Sequence, residues 1–313
     1  MRYFLKKAAV LLITLLIISL LAFLAFQIIP GDPTTKMLGS EATPERVEAL
    51  RESLGLNEPV IVRYGKWLAG FVTGDLGQSY SYSISVRELL SGKIGITACL
   101  SVMAFLMVIV ISIPLGFLLA KNEGTLFDRV FSALNQVMMS IPPFFIGIIF
   151  TYLFGLVLRL FTPGSFVGFG EDPGKFFGYL VFPALAIALP KSAMTVKLLR
   201  SSIVTQMKED YVRTAYSRGN NRASVLRFHV LRNAFIPVIT FLAVTLADIV
   251  AGSIIVEQVF AVPGIGRLLL LSISNRDFPV VQSLVVIIAF VVVSVNFLAD
   301  IAYQYVDPRI RLS

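Results

Sequence analysis

The sequence predicts an all-α membrane protein that crosses a bilayer six times. Three observations carry this. Hydrophobic residues fill 56% of the 313 positions and charged residues only 15%, against about 25% charged in a soluble domain. Mean hydropathy is +0.82. The missing charge is gathered into blocks: no Asp, Glu, Lys or Arg stands between Lys7 and Asp32, Lys93 and Lys121, Arg129 and Arg159, or Asp277 and Asp300. A transmembrane helix needs about 20 such residues. Two more blocks, Phe176–Val196 and Ala234–Val256, each hold one interior charge, Lys191 and Asp248. None of these runs alternates in polarity, as the strands of a membrane barrel would.

The elements follow in order. Residues 1–30 hold a basic N-terminus (Arg2, Lys6, Lys7) and the first span. The apolar run Ala8–Ile29 exceeds the 7–15 residues of a signal-peptide core, and no small-x-small cleavage site follows, so the helix is expected to be retained. Residues 31–93 form the one sizeable segment outside the membrane. Thr43-Pro44 reads as an N-cap with proline at the first helical position, and Gly55 as the end of that short helix. Val60, Tyr64, Trp67, Leu68 and Phe71 then share one helical face, suited to the membrane surface or to the spans. Ser85-Val86-Arg87-Glu88 fits a capping box leading toward the second span. The core, 94–305, carries spans two to six, and 306–313 is a short tail. Prolines 114, 142, 143, 183, 190 and 237 fall inside apolar blocks, where packed neighbours can satisfy freed backbone groups. The single cysteine, Cys99, reads as a small buried residue of the second span.

Lys and Arg set the orientation. They collect in the N-terminus, in 121–129, in 197–232 and in the tail, whereas the short opposite loops hold only Arg159, Lys175, Arg267 and Arg276. Both termini are therefore expected in the cytosol. The net charge of +8 reflects topology and attraction to anionic lipid rather than nucleic acid.

The basic loop at about 205–233 contains a helix signal. Glu209 and Asp210 open a segment Tyr211–Arg218, with acids at its start and Arg218 at its end matching the helix dipole. Gly219 stands where a left-handed residue ends a helix. Two readings stay open: a short helix presented to the cytosol, or a solvated basic loop that sets topology.

Lys191 and Asp248 are the costly residues. Each charge at a helix centre costs on the order of 2.5–3.5 kcal/mol on insertion scales. They are expected to approach one another or to line a route through the membrane. A structural ion pair, or a lysine snorkelling to the interface, are the alternatives.

Enzymatic chemistry is missing. The glycine-to-lysine spacing from Gly168 to Lys175 does not fit a phosphate-binding loop, and Phe176 follows it. The single histidine, His229, excludes a two-histidine zinc motif, and no metal site is expected. No G-x-S-x-G elbow occurs.

Beyond the physics, the chain resembles a known family. Glu209-Asp210-Tyr211-Val212-Arg213-Thr214-Ala215, then Gly219, then His229-Val230-Leu231-Arg232-Asn233-Ala234-Phe235-Ile236-Pro237, is similar to the coupling loop of permease subunits of dipeptide/oligopeptide-type ABC importers. Gly31-Asp32-Pro33, Leu54-Gly55-Leu56, Gly74-Asp75-Leu76-Gly77 with Ser79, Pro263-Gly264-Ile265-Gly266-Arg267 and Arg276-Asp277-Phe278-Pro279 extend the likeness along the chain. Arg213-Thr214-Ala215 stands where the wider group has Glu-Ala-Ala, and Asn220-Asn221 replaces an apolar continuation. Lys191 and Asp248 fall where small or apolar residues are usual.

The resemblance implies the ABC type I importer permease fold in a bacterial or archaeal plasma membrane. It implies a second homologous permease, two cytosolic ABC ATPases that bind ATP and Mg²⁺, an external substrate-binding protein, and no cofactor on this chain. It assigns Glu209, Asp210, Tyr211, Arg213, Thr214, Ala215 and Gly219 to coupling with an ATPase: Tyr211 as an apolar anchor, Ala215 for close packing and Gly219 for a tight exit. Short peptides are the implied cargo, with nickel chelates, glutathione or oligosaccharides as alternatives. An ion-coupled secondary transporter is a more distant reading, and the inverted repeats it often shows are not seen.

Overall fold

A computed structural model describes residues 2–28, 33–39 and 42–306. The Gly31-Asp32 pair and the tail from 307 lie outside the described residues, as do the side chains of Arg2 and Lys6. The described chain is helical throughout, with no strand beyond an isolated bridge between Gln78 and Ser85.

Helix α1 (Arg2–Ile28) is followed by four short helices: α2 (Pro33–Leu38), α3 (Pro44–Ser53), α4 (Val60–Thr73) and α5 (Val86–Leu90). Thr43 caps α3 by accepting from the Arg46 amide at 3.4 Å, and Ser85 caps α5 by accepting from the Glu88 amide at 3.1 Å. Gly55, at φ 65°, closes α3 in the left-handed region that glycine enters without penalty. Then come α6 (Lys93–Lys121), α7 (Leu126–Ser140), α8 (Pro143–Phe150) with a π-helical extension over Thr151–Val157, and α9 (Pro173–Gln206). Asp172 caps α9 through the Lys175 amide, and that hydrogen bond holds its carboxyl below the usual range. The last elements are α10 (Asp210–Ser217), α11 (Arg222–Ser224) running into a π-helical turn Val225–Val230, α12 (Leu231–Val259), α13 (Ile265–Asn275) and α14 (Phe278–Val306).

Among the described residues, five helical stretches are long and apolar enough to cross a membrane, and a sixth crossing needs α7 and α8 together. Those two meet at a bend of 99°, where a single span through Arg129–Arg159 was expected. The Pro142-Pro143 pair explains the break. Neither proline has an N–H to donate, and each pushes its predecessor out of the helical region; Ile141 is accordingly extended at ψ 124°. The prolines inside α6, α9 and α12 are absorbed without such a break.

The chain divides into two compact units, Met1–Thr97 with Pro263–Val293, and Ala98–Val262 with Ser294–Ser313. In the first, the aromatic face of α4 packs on α1 rather than lying free. Phe23 is buried, with its ring centroid 5.5 Å from Tyr64 and 6.2 Å from Trp67. The Tyr64 and Ser19 hydroxyls are hydrogen-bonded at 2.8 Å. In the second unit α9 is the central post, packed on α7, α8 and α12. Small residues permit the close approach, as in membrane helix packing generally. Ala184, Ala186, Ala188 and Ala193 are buried on α9. A methyl added at Gly116 of α6 would stand 3.0 Å from Leu199.

Candidate functional site

The segment between α9 and α12 is built as a presented helix. The two turns of α10 bury Val212 and Ala215, three residues apart on one face, and expose Asp210, Arg213, Thr214, Tyr216 and Ser217. Glu209 occupies the N-cap position, but its side chain makes no capping hydrogen bond. The Arg213–Asp210 contact is long, 3.6 Å, and both partners are solvated, so it adds little stability. Tyr211 is half-buried and donates its hydroxyl to Gln206 Oε1 at 2.7 Å, which ties α10 to the last turn of α9. The apolar anchor is therefore Val212, with Tyr211 serving as a polar tether.

The exit from α10 rests on Gly219, at φ 83° with open space around the position a Cβ would take. Backbone conformation, not crowding, asks for glycine there. The Asn220-Asn221 pair, which departs from the family pattern, caps both neighbours. Asn220 Nδ2 donates to the Ala215 carbonyl at 3.1 Å, and Asn221 Oδ1 accepts from the Ser224 amide at 2.8 Å. Two small polar residues thus take the turn from one helix into the next.

The root of the helix is an ion pair that sequence reading missed. Arg200, near the end of α9, donates from Nε and an Nη to both oxygens of Asp128 at 2.6 Å each. Asp128 sits in the first turn of α7, 3% exposed. It also accepts from the Gly124 amide at 3.0 Å and the Ser132 hydroxyl at 3.3 Å. The local signal was Thr125 three residues before Asp128, a capping spacing; the partner, 72 residues away, has none.

Lys191 and Asp248 come together. Lys191 Nζ lies 2.8 Å from Asp248 Oδ2, joining α9 to α12. The lysine is 21% exposed and the aspartate 56%. Val244, Asp248, Ala251 and Ile255 form one exposed row along α12, so the carboxylate stands in an otherwise apolar face. Further toward the end of α9, Asn135 Nδ2 donates to the Ala193 carbonyl at 2.7 Å and Lys197 Nζ to Gln136 Oε1 at 3.1 Å.

A second polar centre lies in the first unit. Asp277 is fully buried. It accepts from the Ser79 hydroxyl and from the amides of Tyr80 and Ser81 at 3.0 and 3.2 Å. Arg276, left-handed at φ 58°, ends α13 and turns the chain into this position. Burial raises the Tyr80 phenol, with Arg63 lowering it and Asp277 raising it.

Together these features define a class: a multi-pass membrane protein whose longest buried helix leads into a short helix offered outside the apolar spans. Residues 112–312 match the family described as the inner membrane component of binding-protein-dependent transport systems, and residues 1–101 match the N-terminal part of such membrane components. The chain belongs to that family. It is 36% identical to a putative peptide transport system permease protein of Brucella abortus (strain 2308), over 98% of both chains. It is 34% identical to the oligopeptide transport system permease protein of Bacillus subtilis (strain 168), over 99% of both. A dipeptide transport system permease protein of Alkalihalophilus pseudofirmus is 30% identical, again over 99% of both.

Proposed function

We propose that this chain is one of two homologous permease subunits of an ATP-driven importer, forming half of the membrane pathway for short peptides delivered by an external binding protein. The observation that carries this is α10, a short helix with an exposed polar face, held between two long apolar helices. The names of the relatives favour peptides over nickel chelates, glutathione or oligosaccharides. ATP and Mg²⁺ belong to two cytosolic ATPase subunits in this reading, and the chain itself holds no cofactor and performs no catalysis. Both termini and the tail 306–313 face the cytosol, 31–93 lies outside, and 94–305 is the membrane core.

The mechanism follows from rigidity. Glu209, Asp210, Arg213 and Thr214 present polar groups to an ATPase surface, while the Tyr211–Gln206 hydrogen bond ties α10 to α9 and buried Val212 and Ala215 seat a helix that packs on the π-helical turn Val225–Val230. Gly219 and the asparagine caps transmit the same motion into the π-helical turn that opens α12. ATP-driven approach of the two ATPases then tilts α9 and α12. Lys191 and Asp248 join these two helices and mark a polar point on the pathway. Purification of the chain with its ATPase subunits, followed by uptake of di-, tri- and longer peptides against Ni²⁺ with the cognate binding protein, tests the reading. Loss of peptide uptake with retained Ni²⁺ uptake would overturn the cargo, and transport without any ATPase would overturn the mechanism.

A further inference from the structure

We infer that a groove between the end of α6 and the start of α12 is a binding site for an anionic phospholipid. The groove encloses about 840 Å³. Its walls and its rim differ in chemistry. Ile113 and Phe117, four residues apart on α6, face Leu226, Leu231 and Phe235 across it. Lys121, one further turn along α6, Arg222 and Arg227 also line it, and no Asp or Glu lines any part of it. All three cations are exposed. Arg222 donates to the Lys121 carbonyl at a long 3.4 Å, which places these two residues beside each other at the end of α6.

The dimensions fit one lipid leaflet. From Ile113 to Lys121 is eight residues, or about 12 Å of helix, against about 15 Å for half of a bilayer core. The apolar part of the groove therefore covers acyl-chain depth, Lys121 and Arg222 fall where α6 leaves the membrane and a phosphate headgroup lies, and Arg227 adds a third positive charge to the lining. A free phosphate would answer the cations and leave the apolar walls uncovered. A phosphodiester carrying acyl chains answers both, and basic pockets between membrane helices are a recurring way of holding such headgroups. The π-helical turn contributes by placing Leu226, 4% exposed, beside the outward Arg227. The inference needs membrane placement only; it does not depend on the transported substrate.

The test uses the assembled transporter in phosphatidylcholine nanodiscs containing a minor fraction of phosphatidylglycerol, with retained lipid counted by native mass spectrometry after release into mild detergent. Wild type is expected to retain phosphatidylglycerol about tenfold over phosphatidylcholine. Lys121→Gln/Arg222→Gln/Arg227→Gln removes the headgroup contacts. Ala223→Trp fills the groove from an exposed lining position and leaves the charges in place. Both are expected to lose the retained lipid, with the protein still inserted. Equal retention of the two lipids by wild type would overturn the site. So would retention by either variant at the wild-type level: by the charge variant because the cations would be irrelevant, by Ala223→Trp because general surface charge would suffice.

Discussion

Ser79 and Asp277, 198 residues apart, are hydrogen-bonded to each other in a site closed to solvent. The contact joins the Gly-Asp-Leu-Gly segment to the Arg-Asp-Phe-Pro segment, two stretches whose resemblance to the family had no evident common purpose in the sequence. Asp277 also holds the turn after Ser79 through two backbone amides. The motifs are two halves of one buried polar knot.

Asp277→Ala should therefore destabilise the protein. It strands a buried hydroxyl and two part-buried amides, and a fully buried unsatisfied group costs about 1–3 kcal/mol. A loss of about 3 kcal/mol or more is expected in detergent unfolding. Ser79→Ala removes one donor to Asp277 and the acceptor of the Tyr82 amide but leaves the Tyr80 and Ser81 amides in place, and should cost less, about 1–2 kcal/mol.

Arg200→Met should be worse than the double change Arg200→Met/Asp128→Asn. The single substitution leaves a buried carboxylate without its guanidinium, a loss of about 3–5 kcal/mol. The double change removes the charge as well. A double-mutant cycle read by thermal unfolding should give a coupling of at least about 1 kcal/mol; additive costs would contradict the geometry.

Lys191→Met or Asp248→Leu alone leaves a lone charge on an apolar span, a penalty of about 2.5–3.5 kcal/mol on insertion scales, and each should lower the amount of inserted protein. The double variant Lys191→Met/Asp248→Leu should insert normally and transport poorly. Full uptake by the inserted double variant would reduce the pair to a structural tie between α9 and α12.

Gly219→Asp should leave the protein in the membrane, because the space around the position is open and the left-handed backbone costs only about 1 kcal/mol. It should uncouple ATP hydrolysis from uptake, since it puts a charged side chain on the exposed exit of α10, where the helix meets its ATPase. Proteoliposomes that hydrolyse ATP without accumulating peptide are the expected result; normal uptake would remove α10 from the coupling path.

The legible parts of the fold were those with local causes. Charge-free blocks mark apolar helices wherever the chain runs, and the ends of α3, α5 and α10 were visible in Thr43, Ser85 and Gly219 because caps are short-range. The 99° turn between α7 and α8 was not. Hydropathy records how apolar a block is and carries no angle, so Pro142-Pro143 looked no different from the prolines that α6, α9 and α12 absorb. The insertion cost of Lys191 and Asp248 flagged them singly, and their 2.8 Å approach depended on how two helices pack. Thr125 marked Asp128 only as the start of a helix, and nothing local pointed to Arg200, which lies 72 residues away among the charges of a basic stretch.

The most direct test of the account measures peptide accumulation in vesicles holding this chain, its partner permease and the ATPase subunits, with the binding protein outside and ATP inside. Accumulation that requires both ATP and the binding protein is predicted. Accumulation driven by an ion gradient with the ATPases removed would contradict it.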